Sequence, residues 1–261
     1  MPTVRAPAVA GTFYPDDAVA LRAQLREFLA AVKTSGTCPK AIIAPHAGYV
    51  YSGPVAASAY ARIQACARHI TRVVLLGPSH RVRLRGLAAP SVDFFATPLG
   101  AIAVDRAALQ RLADLPYVTV SDQAHALEHS LEVHLPFLQA TLGQFTLVPL
   151  VVGAAEPHAV AQVLERLWGG AETLIVVSSD LSHYHDYATS QRLDAATTQA
   201  IEQLRFEDLN YDSACGRTPV SGLLYVARQR GLHAQAVDVR NSGDTAGPRD
   251  QVVGYGAYVI D

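Results

Sequence analysis

Of 261 residues only three are cysteine, one is methionine and one is tryptophan. Cys38, Cys66 and Cys215 are too few and too irregularly spaced for a disulfide framework. A reducing cytoplasm is therefore the default compartment, and any thiol in use is expected to be a ligand or a nucleophile. No apolar run approaches the ~20 residues of a membrane-spanning helix, so no membrane role is expected. The opening Met1-Pro2-Thr3-Val4-Arg5-Ala6 has no apolar segment between charge and cleavage site, and no secretory signal is expected from it. A surplus of positive charge is missing too: 21 Lys+Arg against 23 Asp+Glu leaves −2. Without that surplus there is little to neutralise phosphates, which argues against nucleic acid as the main partner. There is no internal repeat, low-complexity tract or Gly/Ser linker, so one domain over residues 1–261 is expected. No P-loop and no G-x-S-x-G elbow occur, and Gly254-Tyr255-Gly256 lies in a closing strand with no helix after it.

Hydrophobic residues make up 50% of the chain and charged ones 17%, enough to build a substantial core. Short apolar runs alternate with amphipathic stretches. Strands are expected at Ala41–Ala44, Val73–Leu76, Leu147–Val152, Leu174–Val177, Ala236–Val239 and Val252–Ile260. Helices are expected over Gly53–Cys66, Pro157–Trp168, Asp186–Leu204 and Pro219–Gln229. Runs that are apolar throughout, rather than alternating, mark strands covered on both faces. Their alternation with helices implies an α/β domain whose mostly parallel or mixed central sheet is flanked by helices.

Ten histidines stand out against this background. In such a sheet, ligands bind beyond the carboxyl ends of the strands. Ala41–Ala44 runs into Pro45-His46, Val73–Leu76 into Gly77-Pro78-Ser79-His80, and Leu174–Val177 into Ser178-Ser179-Asp180-Leu181-Ser182-His183. One such histidine is ordinarily a loop hydrogen-bonding group. Three delivered to one rim point to a shared metal or catalytic site, since imidazole both ligates transition metals and moves protons near neutral pH.

A further cluster, Glu128-His129-Ser130-Leu131-Glu132-Val133-His134, reads on a helix either as a solvated acidic start or as carboxylates supporting a site, with an acid/base histidine among them. His125-Ala126-Leu127-Glu128-His129 also matches the inverted zinc-peptidase motif H-x-x-E-H, which requires a helix through all five residues. Cys215 precedes the helix expected at Pro219 and stands near Arg217. A thiol in that setting has a lowered pKa by principle; its plain alternative is a small buried hydrophobe. Cys38 and Cys66 lack such surroundings and read as structural or incidental.

The segments RAPAVAGTFYP (Arg5 to Pro15), IIAPHAGY (Ile42 to Tyr49), LGPSH (Leu76 to His80), EHSLEVHLP (Glu128 to Pro136), VSSDLSH (Val177 to His183) and CGRTP (Cys215 to Pro219) resemble the Memo family, whose microbial members are called AmmeMemoRadiSam system protein B. The resemblance runs nearly end to end. It implies the fold of class III extradiol dioxygenases of the protocatechuate 4,5-dioxygenase type, enzymes that hold Fe(II) with two histidines and a carboxylate. By this resemblance His46 and His80 take the histidine-ligand positions and Cys215 the third. His183 takes the acid/base position, Asp180 belongs to the same motif, and His129 matches a second active-site histidine. His125 has no counterpart in the pattern. The chain is shorter than the animal proteins, chiefly before Cys215, so nothing tied to their signalling carries over.

Two histidines and one cysteine suit iron, zinc or copper, and among these the resemblance implies Fe(II). The expectation is a dioxygenase-type oxidoreductase that takes O₂ and a small organic substrate. Tyr49 either lines its pocket or packs in the core. The resemblance also implies a link with a radical-SAM partner. The alternative is a non-enzymatic signalling or scaffold module that binds metal or phosphopeptide in the same cleft. Phosphotyrosine binding needs a basic cleft, which Arg81, Arg83 and Arg85 could supply; the plainer reading of that run is a solvated loop face.

Overall fold

The long apolar runs pair side by side in a computed structural model that describes residues 2–33 and 36–261. In chain order the strands are β1 (Val4–Arg5), β2 (Ala41–Ala44), β3 (Arg72–Pro78), β4 (Leu87–Ala89), β5 (Phe94–Thr97), β6 (Gly100–Ala103), β7 (Val118–Val120), β8 (Thr146–Val152), β9 (Thr173–Ser178), β10 (His183–His185), β11 (Ala234–Asn241) and β12 (Val252–Ile260). The helices are α1 (Ala18–Ala30), α2 (Tyr49–Ile63), α3 (Arg106–Gln110), α4 (Asp122–Ala126), α5 (His134–Thr141), α6 (Pro157–Leu167), α7 (Tyr187–Glu202) and α8 (Arg217–Gln229).

The main sheet runs β10-β12-β2-β9-β3-β8-β4-β7, with β11 also paired to β12. Its centre, β2-β9-β3-β8, is parallel. Strand β12 joins β2 antiparallel, and β4 joins β8 antiparallel. Strands β1, β5 and β6 form a small second sheet. The chain is thus one α/β domain with a mixed sheet between helices.

Alternate residues along each central strand enter opposite cores. Ile42, Val73, Leu75 and Val176 pack with α1, α2 and α5. Ile43, Val74, Ile175 and Val177 pack with α6, α7 and α8. Both sets are fully buried, which is why these strands show no polar alternation in sequence. Burial of each such side chain contributes about 1.5–3 kcal/mol before entropy is counted.

Cys38 and Cys66 are joined in a disulfide, so of the two readings, structural or incidental, the structural one holds, and the expectation that any thiol in use is a ligand or nucleophile does not extend to them. Cys38 lies just before β2, and Cys66 ends the short turn Gln64–Cys66 that follows α2. A strand and the helix that returns antiparallel to it bring the start of one beside the end of the other, so residues 28 apart have Cα atoms 5.8 Å apart. The sparseness of cysteine therefore says nothing here about a reducing compartment. No helix among the described residues is long and apolar enough to cross a membrane.

Candidate metal centre

The loops after β2, β9 and β3 leave the same edge of the sheet from adjacent strands, in register Ala44 to Ser178 and Leu76 to Val177. His46, His80 and the start of α8 meet there. One nitrogen each of His46 and His80 and the Cys215 sulfur lie within 4.8 Å of one another. Cys215 Sγ is 3.3 Å from His46 Nε2. The His46 and His80 rings meet edge to face with centroids 5.1 Å apart.

Hydrogen bonds fix which nitrogen of each imidazole is free. Ser178 Oγ donates its one proton to the Ser130 carbonyl at 2.6 Å. It can only accept from His46, so Nδ1 of His46 donates to it at 2.6 Å and Nε2 keeps its lone pair toward Cys215. Burial, reinforced by the neighbouring histidines, holds the His46 pKa well below its ordinary value, so the ring is neutral. At His80, Nδ1 lies 2.9 Å from Glu128 Oε1, while the His80 backbone N–H donates to Oε2 at 2.6 Å. Burial alone would raise the Glu128 pKa, but the hydrogen bonds from His80 and Ser130 outweigh it and hold the pKa at about 2. An ionised carboxylate only accepts, so His80 Nδ1 carries the proton and Nε2 is free. One segment, Glu128 to Ser130, thus orients both rings, and Ser130 Oγ ties it back to the Pro78 carbonyl at 2.8 Å.

Asp180 lies between two of these residues. Its Oδ1 accepts from the His46 N–H at 2.7 Å, and its own N–H donates to Cys215 Sγ at 3.3 Å. Burial raises its pKa against the His46 amide bond. Burial, with the Asp180 charge, also pushes the Cys215 thiol up. This corrects the lowered pKa expected from its place near Arg217 and a helix start: burial outweighs the hydrogen bonds that the sulfur receives. A bound cation is what would displace that proton.

His129 stacks on His80 with centroids 4.6 Å apart and meets His46 edge-on at 5.5 Å. Burial and His80 lower its pKa to about 4. His80, Glu128 and His129 form a second group of closely spaced donors, but Glu128 already spends both oxygens on His80 and Ser130. His183 begins β10 opposite Val253, outside either group. No hydrogen bond joins it to Asp180 among the described residues, though its charge bears on that carboxyl.

Several sequence expectations need correction. The Glu128–His134 stretch is not a helix: α4 ends at Ala126 and α5 begins at His134, with turns between. Glu128 and Glu132 therefore face different partners. Glu132 is buried against Arg5 and accepts from the Ala8 and Val9 amides and the Tyr14 hydroxyl at 2.7, 2.9 and 2.6 Å, so it anchors the N-terminal segment. The zinc-peptidase motif lacks its helix, and His125 is buried with Nε2 2.9 Å from the Ala88 carbonyl. Tyr49 is a core residue whose hydroxyl donates to the Val133 carbonyl at 2.6 Å. Ser178 has a role that sequence reasoning missed. Its signals were its place directly after the Leu174–Val177 run and inside the VSSDLSH segment.

A family description, Memo-like protein, matches residues 5–259. The chain belongs to the Memo family. A MEMO1 family protein of Aquifex aeolicus is 38% identical over 265 residues, covering 97% of each chain. One of Aeropyrum pernix is 36% identical over 98% of this chain and 99% of its own. One of Archaeoglobus fulgidus is 33% identical with the same coverage. Among solved structures, uncharacterized protein JW3007 of Escherichia coli K12 matches with a TM-score of 0.48 and 12% identity, over 84% of this chain and 98% of that one.

Proposed function

We propose that this Memo-family chain holds a non-haem iron ion on His46, His80 and Cys215 and acts as a dioxygenase-type oxidoreductase on a small organic substrate. The observation that carries this reading is the donor set. The imidazoles of His46 and His80 have their Nδ1 protons committed to Ser178 and Glu128, and their remaining nitrogens converge with a sulfur. Hydrogen-bonded imidazoles of this kind are typical of metal ligands. A thiolate in the third place would supply one negative charge and favour iron, zinc or copper over magnesium or calcium.

Iron(II), when bound, supplies open coordination positions and electrons for O₂ chemistry. The residues do the rest. Glu128 and Ser178 hold the imidazoles in the ligating tautomer. Asp180 fixes the loop after β2 and the Cys215 sulfur together. His129, stacked on His80 and with no hydrogen-bond partner on Nδ1 among the described residues, is the proposed hydrogen-bonding group for substrate oxygen. His183 is the proposed proton carrier, within electrostatic reach of Asp180.

Anaerobic preparation should yield about one iron per chain, and the iron-loaded protein should consume oxygen with one or more members of a catechol panel. Cys215→Ala should lose the iron. Retention of iron by that variant would show the ligand assignment to be wrong. Full iron loading without oxygen uptake on any substrate would remove the dioxygenase reading.

A further inference from the structure

The run Arg81-Val82-Arg83-Leu84-Arg85 follows His80 directly. Half-buried Val82 and Leu84 alternate with exposed Arg81, Arg83 and Arg85. The segment is fastened rather than loose. Ser79 Oγ donates to the Val82 carbonyl at 2.6 Å, and the Gly153 and Ala154 amides donate to the Gly86 and Leu84 carbonyls at 2.9 and 2.8 Å. A Cβ on Gly153 would meet the Leu84 carbonyl oxygen at 2.1 Å, so only glycine permits this close approach.

The three arginines line a cleft of about 700 Å³, within the range of small-molecule sites. Its walls also carry His80, Cys215 and Arg217, and no aspartate or glutamate. None of the four arginines makes an ion pair among the described residues; Arg217 instead lies over the Tyr211 ring at 3.5 Å. Arg217 is also the first residue of the 13-residue helix α8, whose positive end therefore borders the cleft. A chain with net charge −2 has concentrated four unpaired cations beside its candidate metal ligands. A cleft lined by one sign of charge focuses its field and gathers the opposite ion.

We propose that this cleft selects a small organic anion, bearing a carboxylate or phosphate group, and presents it to the His46–His80–Cys215 centre. Arginine is suited to both groups through paired N–H donors. Anion binding stands on the four arginines alone; the anion's role as substrate rests on the metal reading above.

Calorimetric titration of the protein with two matched pairs, benzoate against benzamide and phenyl phosphate against phenol, tests this directly. One charged probe or both should bind about tenfold or more tighter than the neutral partner, and this preference should weaken as salt rises. The pair with the larger ratio identifies carboxylate or phosphate as the recognised group. The triple variant Arg81→Gln/Arg83→Gln/Arg85→Gln should lose the preference while keeping the melting temperature and iron content of the parent. Equal binding of charged and neutral probes, or an undiminished preference in the triple variant, would overturn the proposal. So would a phosphotyrosyl peptide that binds about a hundredfold tighter than phenyl phosphate, because most recognition would then lie outside the cleft. Iron assayed on the same samples separates the two readings: anion preference in protein that cannot take up iron keeps the cleft assignment and removes the substrate role.

Discussion

Ser178 has one hydroxyl proton and gives it to the Ser130 carbonyl, which obliges His46 to donate from Nδ1. Ser178→Ala removes that constraint while changing little volume. Iron affinity, measured by competition with a chelator, should fall about 10- to 100-fold with little change in melting temperature. Unchanged affinity would mean that the serine does not set the tautomer. Away from the site, burial lowers the pKa of His134 to about 3 and of His125 to about 4, against an ordinary value of 6.5. The unfolded chain protonates these rings first as pH falls. The stability they contribute is therefore complete above pH 6.5 and lost progressively toward pH 3–4. At pH 5 each histidine should cost about 2 kcal/mol relative to pH 7. Denaturant unfolding of the parent and of His134→Gln at both pH values checks this, since the variant should lose about 2 kcal/mol less. At this scale His46, His80 and Cys215 were visible in sequence through their motifs. The division of labour between Glu128 and Glu132 was not, because it depends on a turn where the pattern suggested a helix.

The start of α8 reaches the site because Gly216 lies directly on the end of β9. A Cβ there would meet the Ser178 carbonyl oxygen at 2.4 Å and the Ser179 Cβ at 2.6 Å. Backbone cannot yield cheaply, so Gly216→Ala should push Cys215 away from His46. The expected result is iron affinity reduced about tenfold or more, with the fold retained by circular dichroism. The Cys38–Cys66 bond closes β2 and α2 into one loop. For a span of 28 residues, loop-closure entropy predicts a loss of about 3–4 kcal/mol on removing the bond. Unfolding of Cys38→Ser/Cys66→Ser beside the oxidised parent measures it. Elements buried on both faces were legible: Ala41–Ala44 and Val252–Ile260 match their expected bounds, and β3, β8 and β9 differ by one or two residues at their ends. Strands β4 to β7 have three or four residues each, too short for a period to show. Helix α1 was also absent from the sequence reading, although Asp17 caps it and Leu21, Leu25 and Leu29 recur at helical spacing on its buried face.

At the scale of the molecule, parallel order β2-β9-β3 turns three distant sequence segments into one rim, and α8 completes it. The polar residues at strand ends and the apolar runs behind them gave the fold class and the location of the site. Strand order depends on pairings that no local pattern encodes, and so does the cleft, where arginines readable as a solvated loop come to face Arg217 and Cys215. Anomalous scattering at the iron edge, from crystals of anaerobically prepared protein, is the most direct test of the metal centre. The expected result is one peak about 2.0–2.4 Å from His46 Nε2, His80 Nε2 and Cys215 Sγ. A peak held by Glu128 and His129 without Cys215, or iron-replete crystals with no peak at the three atoms, would contradict it.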